Sequence, residues 1–263
     1  MRPSALSPLT IVDIDAHPPF SLITADHIGE LNTESFFIRL NSAGIDAACG
    51  RLIPPPGFFE MQPPNEAITR LNRAAWDLAA VNSGYFPALW IHPGCPDASI
   101  AQLEKYGTSG VRLFEIDASQ LTHPDLPGIL ARAQSLGMTL MMHGEKIAQA
   151  DELAAQFPAL NMLVGGLGSA GYMPAPTYEL LMKHANISIN LSGIYCSFNY
   201  VLHEWTERFG PDRLFFGTGY PFSNPAGKLA GVRWELRDQP DSVRSRIFNE
   251  NALRLLGAEG RLG

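Results

Sequence analysis

Short apolar runs of strand length alternate with segments of helical periodicity along the whole chain, and that alternation leaves few folds open. The runs are predicted as eight strands, at about 10–17, Ile45–Ile53, Tyr85–His92, Val111–Ile116, Met138–His143, Asn161–Gly165, Ile187–Leu191 and Arg213–Gly217. Helices are predicted over Thr33–Ser42, Asn65–Val81, from Pro124-Asp125 to Gly137, and over Ile147–Phe157 and Tyr200–Phe209. A last helix, about Ser242–Leu256, is closed by Gly257, and the Pro-rich stretch PPPGFFEMQPP reads as a loop. Strands that alternate with helices build a parallel sheet, and 263 residues suits one (β/α)8 TIM barrel of typically ~250 residues. The expectation is one barrel domain over residues 1–263. An open doubly wound sheet would carry GxGxxG after an early strand, whereas the glycine-rich GGLGSAG at 165–171 follows the sixth.

Composition narrows the class of function. Nineteen basic against twenty-six acidic residues give a net charge of −7 with no long block of one sign, which argues against nucleic acid or an anionic membrane as partner. No apolar run reaches the length of a membrane span, and the first residues lack a signal-peptide pattern. Cys49, Cys95 and Cys196 are odd in number and far apart, so reduced thiols in a cytoplasmic protein are expected. The expected partner is a small molecule, and a homodimer is the default for such a barrel.

The chemistry-bearing residues sit at strand ends, where a parallel barrel carries its active site. His17 ends the first predicted strand, His92 the third and His143 the fifth. Strand alternation puts Asp13, Asp15 and His17 on one face and Val12, Ile14 and Ala16 on the other. Glu115 ends the fourth strand with parity opposite to Arg112, so one of the two should face inward; Glu145 lies two residues past His143. For Glu115 and Glu145 a solvated carboxylate is the plainer expectation, and for His92 a hydrogen-bonded structural role. Tyr220 could present its hydroxyl to a ligand or pack its ring, and the aromatic GFFEM and SGIYCSFNY loops could wall a pocket or simply pack. His27, His123, His184 and His203 are expected at the surface.

Read together, several stretches resemble the amidohydrolase-related (amidohydrolase 2) family of metal-dependent barrel hydrolases and decarboxylases. They are DIDAHP at 13–18, TLMMHG ending in His143-Gly144, FPALNMLVGGLG, RFGPDRLFFGTGYP and FNENALRLLG. The resemblance implies a divalent ion, zinc with manganese or iron as alternatives, held by two first-strand histidines, a fifth-strand histidine and an eighth-strand aspartate. It also implies a sixth-strand histidine that handles substrate. This chain keeps His17 and His143 but carries Asp15 for one first-strand histidine, Gly166 for the sixth-strand histidine and Gly219 for the aspartate. A register shifted by two residues would instead make His17 the first histidine and lose the second to Pro19.

The expected ligand set is thus Asp15, His17 and His143, which are also the expected catalytic residues, with His92, Glu145 and Tyr220 as substrate contacts. The resemblance implies a hydrolase acting on a small carboxylated or lactone ring. A non-oxidative decarboxylase of an aromatic acid, a non-catalytic binding protein on the same barrel, and a metal-free enzyme using Asp13, Asp15 and His17 stay open beside it.

Overall fold

The computed structural model describes residues 9–25, 29–58, 64–143, 147–165, 175–193 and 201–260. After β1 (Val12–Asp13), a small antiparallel hairpin of β2 (Ile23–Ala25) and β3 (Gly29–Leu31) leads into α1 (Thr33–Ser42). Asn32 caps that helix: its side chain accepts from Ser35 N–H while Ser35 Oγ accepts from Asn32 N–H. Then follow β4 (Ala47–Gly50), α2 (Pro64–Val81), β5 (Tyr85–Trp90), α3 (Pro96–Thr108), β6 (Leu113–Glu115), α4 (Leu126–Ser135) and β7 (Thr139–His143). The second half runs α5 (Ile147–Gln156), β8 (Asn161–Gly165), α6 (Ala175–Lys183), β9 (Ile187–Asn190), α7 (Val201–Phe209), β10 (Leu214–Phe215), α8 (Pro225–Glu235), α9 (Asp241–Ser245) and α10 (Asn251–Leu256).

Eight strands pair in parallel in the order β1-β4-β5-β6-β7-β8-β9-β10. The two ends of that sheet are joined by Ile14 N–H to Phe216 O (2.9 Å), His17 N–H to Tyr220 O (2.8 Å) and Gly219 N–H to Asp15 O (2.7 Å). The fold is therefore the (β/α)8 barrel that the alternation predicts. The hairpin, α3, α6 and α8 were not individually predicted. The last predicted helix is also broken: a π-turn over Arg246–Glu250 separates α9 from α10 and offers the Ile247 carbonyl to Phe216 N–H at 3.0 Å. No helix among the described residues is long and apolar enough to cross a membrane.

Two apolar layers follow from strand alternation. An outer one, with Ile11, Ala16, Phe114, Leu140, Val164, Ile189 and Phe216, packs against the helices. An inner one, with Val12, Ile14, Ala47, Cys49, Phe86, Leu113, Met141, Leu163 and Phe215, is joined by Ala252, Leu253 and Leu256 of α10. Asn251 at the start of α10 donates to the carbonyls of Pro211 and Leu214 beside β10, which fixes α10 across the end where the strands begin. The opposite end, where the strands stop, is left for polar groups.

Candidate functional site

The first strand does not alternate regularly. Ile11 lies in the outer layer, Val12 and Ile14 in the inner one, and Ala16 in the outer one again, so the pleat slips by one residue between Ile14 and Ala16. The cause is local: Asp13 Oδ1 accepts from Asp15 N–H (3.0 Å), which interrupts the ladder there. The shared face expected for Asp13, Asp15 and His17 is corrected accordingly. Asp13 turns to Thr218, accepting from its hydroxyl (2.5 Å) and its N–H (2.9 Å), while Asp15 and His17 turn to other partners.

Those partners form a row of alternating charge across the strand ends. His17 Nε2 lies 2.7 Å from Asp15 Oδ1, and Asp15 Oδ2 accepts from Asn190 Nδ2 at 2.7 Å. On its other side His17 Nδ1 faces Glu115 Oε1 at 3.7 Å, too far for a hydrogen bond. Arg51 donates from Nε to Glu115 Oε2 (3.0 Å) and from a terminal nitrogen to Asp117 (3.3 Å), and its guanidinium lies 4.0 Å from the centre of the Trp90 ring. His17 is 4 % exposed and Glu115 3 %, so the row is solvated only toward Arg51 and Asp117. His17 Nδ1 and Glu115 Oε1 are both buried and have no hydrogen-bond partner among the described residues.

Electrostatics follow from this packing. Burial raises the Asp13 carboxyl to about 6 against the hydrogen bonds from Thr218 and Asp15 N–H that favour its charge. Burial pulls the His17 imidazole down, but the Glu115 charge and the Asp15 hydrogen bond outweigh it and hold His17 above its ordinary value. Burial, then the charges of Glu115, Asp15 and Asp13, push the Cys49 thiol well up, which makes it an inert core residue.

Other expected residues fall elsewhere. His143 closes β7, paired in register with Gly165, but its side chain lies outside the described residues, as do Glu145, Gly166 and Cys196. His92 serves a turn: its N–H donates to Ser99 Oγ (3.2 Å), and its Nδ1 accepts from Gly94 N–H (3.1 Å). Tyr220 stacks its ring on Phe36 of α1 (5.3 Å), with its hydroxyl 3.5 Å from Arg39, beside a 570 Å³ groove between α1 and residues 220–226. Of the first aromatic loop, Phe58 packs edge-on against Phe20 in a cluster with Leu52, Leu71 and Trp90; residues 194–200 of the second lie outside the described residues.

Two sequence expectations are corrected by burial. Glu115 is not a solvated loop carboxylate but part of the row, with inward parity that Arg112 does not share. His184 is buried rather than at the surface, held 2.6 Å from Asp151. Arg51, Asn190 and Thr218 were missed. Arg51 and Asn190 had a usable signal: each is a polar residue of inward parity closing an apolar run, Arg51 two residues past Cys49 and Asn190 two past Ser188.

The described donors fit a divalent ion poorly. Both Asp15 oxygens and both Asp13 oxygens are engaged, and so is Glu115 Oε2. Among the described residues there is no group of three His, Cys, Asp or Glu side chains arranged to hold one.

The amidohydrolase family model matches residues 60–258. No curated protein matches the chain. Among solved structures it is similar to 2,6-dihydroxybenzoate decarboxylase from Rhizobium, with 16 % identity, TM-score 0.74, and coverage of 95 % of this chain and 99 % of that one. It is similar as well to a probable 2-pyrone-4,6-dicarboxylic acid hydrolase from Acinetobacter baumannii with citric acid bound (14 % identity, TM-score 0.66, 94 % and 99 % covered). An amidohydrolase from Burkholderia multivorans with bound zinc gives 12 % identity, TM-score 0.68, and coverage of 94 % and 99 %. At these identities the likeness is one of fold.

Proposed function

Because the chain belongs to the amidohydrolase family, we propose that it is a hydrolase that opens a small uncharged ring, a cyclic ester or amide, where the barrel strands end. The observation that carries this reading is a pair of buried atoms facing each other there, His17 Nδ1 and Glu115 Oε1, that have no partner among the described residues. A carboxylate oxygen and an imidazole nitrogen 3.7 Å apart, neither with a partner among the described residues, suit a base and an acid that act side by side on one reacting group. In the proposed step the water oxygen bonds to the ring carbonyl carbon and its proton passes to Glu115. The ring C–O or C–N bond then breaks, and the leaving atom takes a proton from the His17 imidazolium. Asp15 orients His17, and His143 contributes from the end of the neighbouring β7. The proposed step gives no part to His92 or Tyr220.

Charge chooses the substrate class. Asp15, Glu115 and Asp117 outnumber His17 and Arg51 in the row, so a carboxylated ring meets repulsion that a neutral lactone escapes. The same repulsion counts against decarboxylation of an aromatic acid, the chemistry named for one of the similar structures. Zinc, or manganese or iron in its place, is what the family resemblance would supply, and no step here passes through it because the described donors do not fit it.

The test is hydrolysis of uncharged lactones and cyclic amides beside their ring-carboxylated counterparts, with and without a chelator. The expected result is turnover of an uncharged ring that survives chelation and falls by about a hundredfold or more in Glu115→Gln. Turnover confined to carboxylated rings in the presence of added metal would refute the reading. A non-catalytic binding protein is the second reading, favoured by the engagement of every Asp13 and Asp15 oxygen; it predicts a ligand that raises the melting temperature and is never turned over.

A further inference from the structure

We infer that Asn190 closes Asp15 to metal, so that the chain carries no resident divalent ion at Asp15 and His17. The inference does not depend on the proposed reaction. Asn190 is fully buried at the end of β9, and its amide has a fixed orientation because Oδ1 accepts from Ser192 N–H at 3.1 Å. The NH2 group is thereby turned to Asp15 Oδ2 at 2.7 Å, with Met141 Sδ 4.0 Å away. A hydrogen-bond donor stands where a cation would need a lone pair, and Asp15 Oδ1 is spent on His17.

The flanking strands are built around this amide. A Cβ on Gly165 would come within 2.5 Å of Asn190 Nδ2, and one on Gly217 within 2.0 Å of Oδ1, so the end of β8 and the residues just past β10 both carry glycine where the amide lies. A side chain accommodated by two glycines and oriented by a backbone N–H is a permanent part of the site. What remains open among the described residues is His17 Nδ1 and Glu115 Oε1, two donor atoms against the four of a closed tetrahedral site.

The test is metal content of the untagged full chain by mass spectrometry, with calorimetric titration of zinc and manganese into wild type and Asn190→Asp. That substitution keeps the shape and exchanges the donor for a second carboxylate against Asp15, a repulsion that a cation relieves. We expect wild type to carry no stoichiometric ion and to show no saturable binding. We expect Asn190→Asp to bind saturably, at least about tenfold above the limit set by wild type, with a rise in melting temperature on adding metal. Wild-type protein holding about one ion per chain, lost in His17→Ala, would overturn the inference. A folded Asn190→Asp chain that gains no affinity would overturn the role given to Asn190; should that variant fail to fold, the wild-type measurement decides.

Discussion

The two ends of the barrel bury their interiors by opposite means. Where the strands begin, Ala252, Leu253 and Leu256 of α10 meet Val12, Ala47, Phe86 and Leu113, an apolar plug. Where they stop, the interior is filled by Asn190, Asp15, His17 and Glu115, with Arg51 and Asp117 continuing the row outward. The plug needs only volume and hydrophobicity, so many side chains would serve. The polar end needs a particular partner for each atom, because an unpaired buried charge is expensive. A charge placed at the plug should therefore be intolerable, because nothing among the apolar side chains there can partner it. Ala252→Asp is expected to cost about 3–5 kcal/mol in denaturant unfolding, or to prevent folding, the scale of an uncompensated buried charge. A loss under 1 kcal/mol, on the order of a surface change, would mean that the plug is wet and the contrast false.

The polar end should betray itself in the pH dependence of stability. Asp13 holds its proton to about pH 6 in the folded chain against an ordinary value of 3.8, so the folded state binds the proton more tightly. Its contribution is full below about pH 4 and is lost as pH rises through 6, roughly 3 kcal/mol for a fully buried group. His17, also raised, acts with the same sign at higher pH: its contribution is present below 6.5 and fades as pH rises through its folded value. Urea unfolding at a series of pH values should show wild-type stability falling between pH 4 and 6, with a flatter profile in Asp13→Asn. Parallel profiles would show that Asp13 is not the group responsible.

A third comparison tests the fit around Asn190. Gly217→Ala drives a methyl against Asn190 Oδ1 and is expected to cost about 2 kcal/mol, the scale of overpacking. Asn190→Ala removes the obstacle but strips Asp15 Oδ2 of its donor, itself a loss of about 1–3 kcal/mol. The double variant should cost less than the sum of the two by about 1–2 kcal/mol. Strict additivity in a double-mutant cycle would mean that the amide and the glycine do not touch.

The same contrast explains what the sequence made legible. The eight-strand alternation, the exact extent of α1 and the inner and outer layers are written in hydrophobic period, which acts over a few neighbours at a time. His17 and Asp15 were legible because they end an apolar run. Their neighbours were not, since Asn190 reaches Asp15 across 175 positions and Arg51 reaches Glu115 across 64. The slip at Asp15 was hidden for a different reason: it is caused by one side chain taking one backbone N–H, which a strict two-residue period cannot register. Glu115 was misjudged because a carboxylate at a strand end is usually solvated, whereas here Arg51, just past β4, offsets the cost of its burial.

The smallest expected effect concerns Gly219, where the sequence resemblance would place a metal-binding aspartate. Its φ is +71°, a left-handed conformation that glycine adopts freely and most residues do not. Among the described residues a Cβ there would meet only Ser192 Cβ, at 3.7 Å, an ordinary contact, so space among them is not the constraint. Gly219→Ala should therefore cost about 1 kcal/mol through backbone strain alone. Gly219→Asp should cost less than Ala, since aspartate tolerates this conformation through local hydrogen bonding. Thermal unfolding of the pair decides the matter. If Asp is the milder change, the backbone accepts an aspartate at 219, and its absence there reflects the chemistry at the strand ends rather than their shape. If Asp costs more than Ala, the added carboxylate is repelled by the surplus negative charge already there, and the row itself is what excludes it.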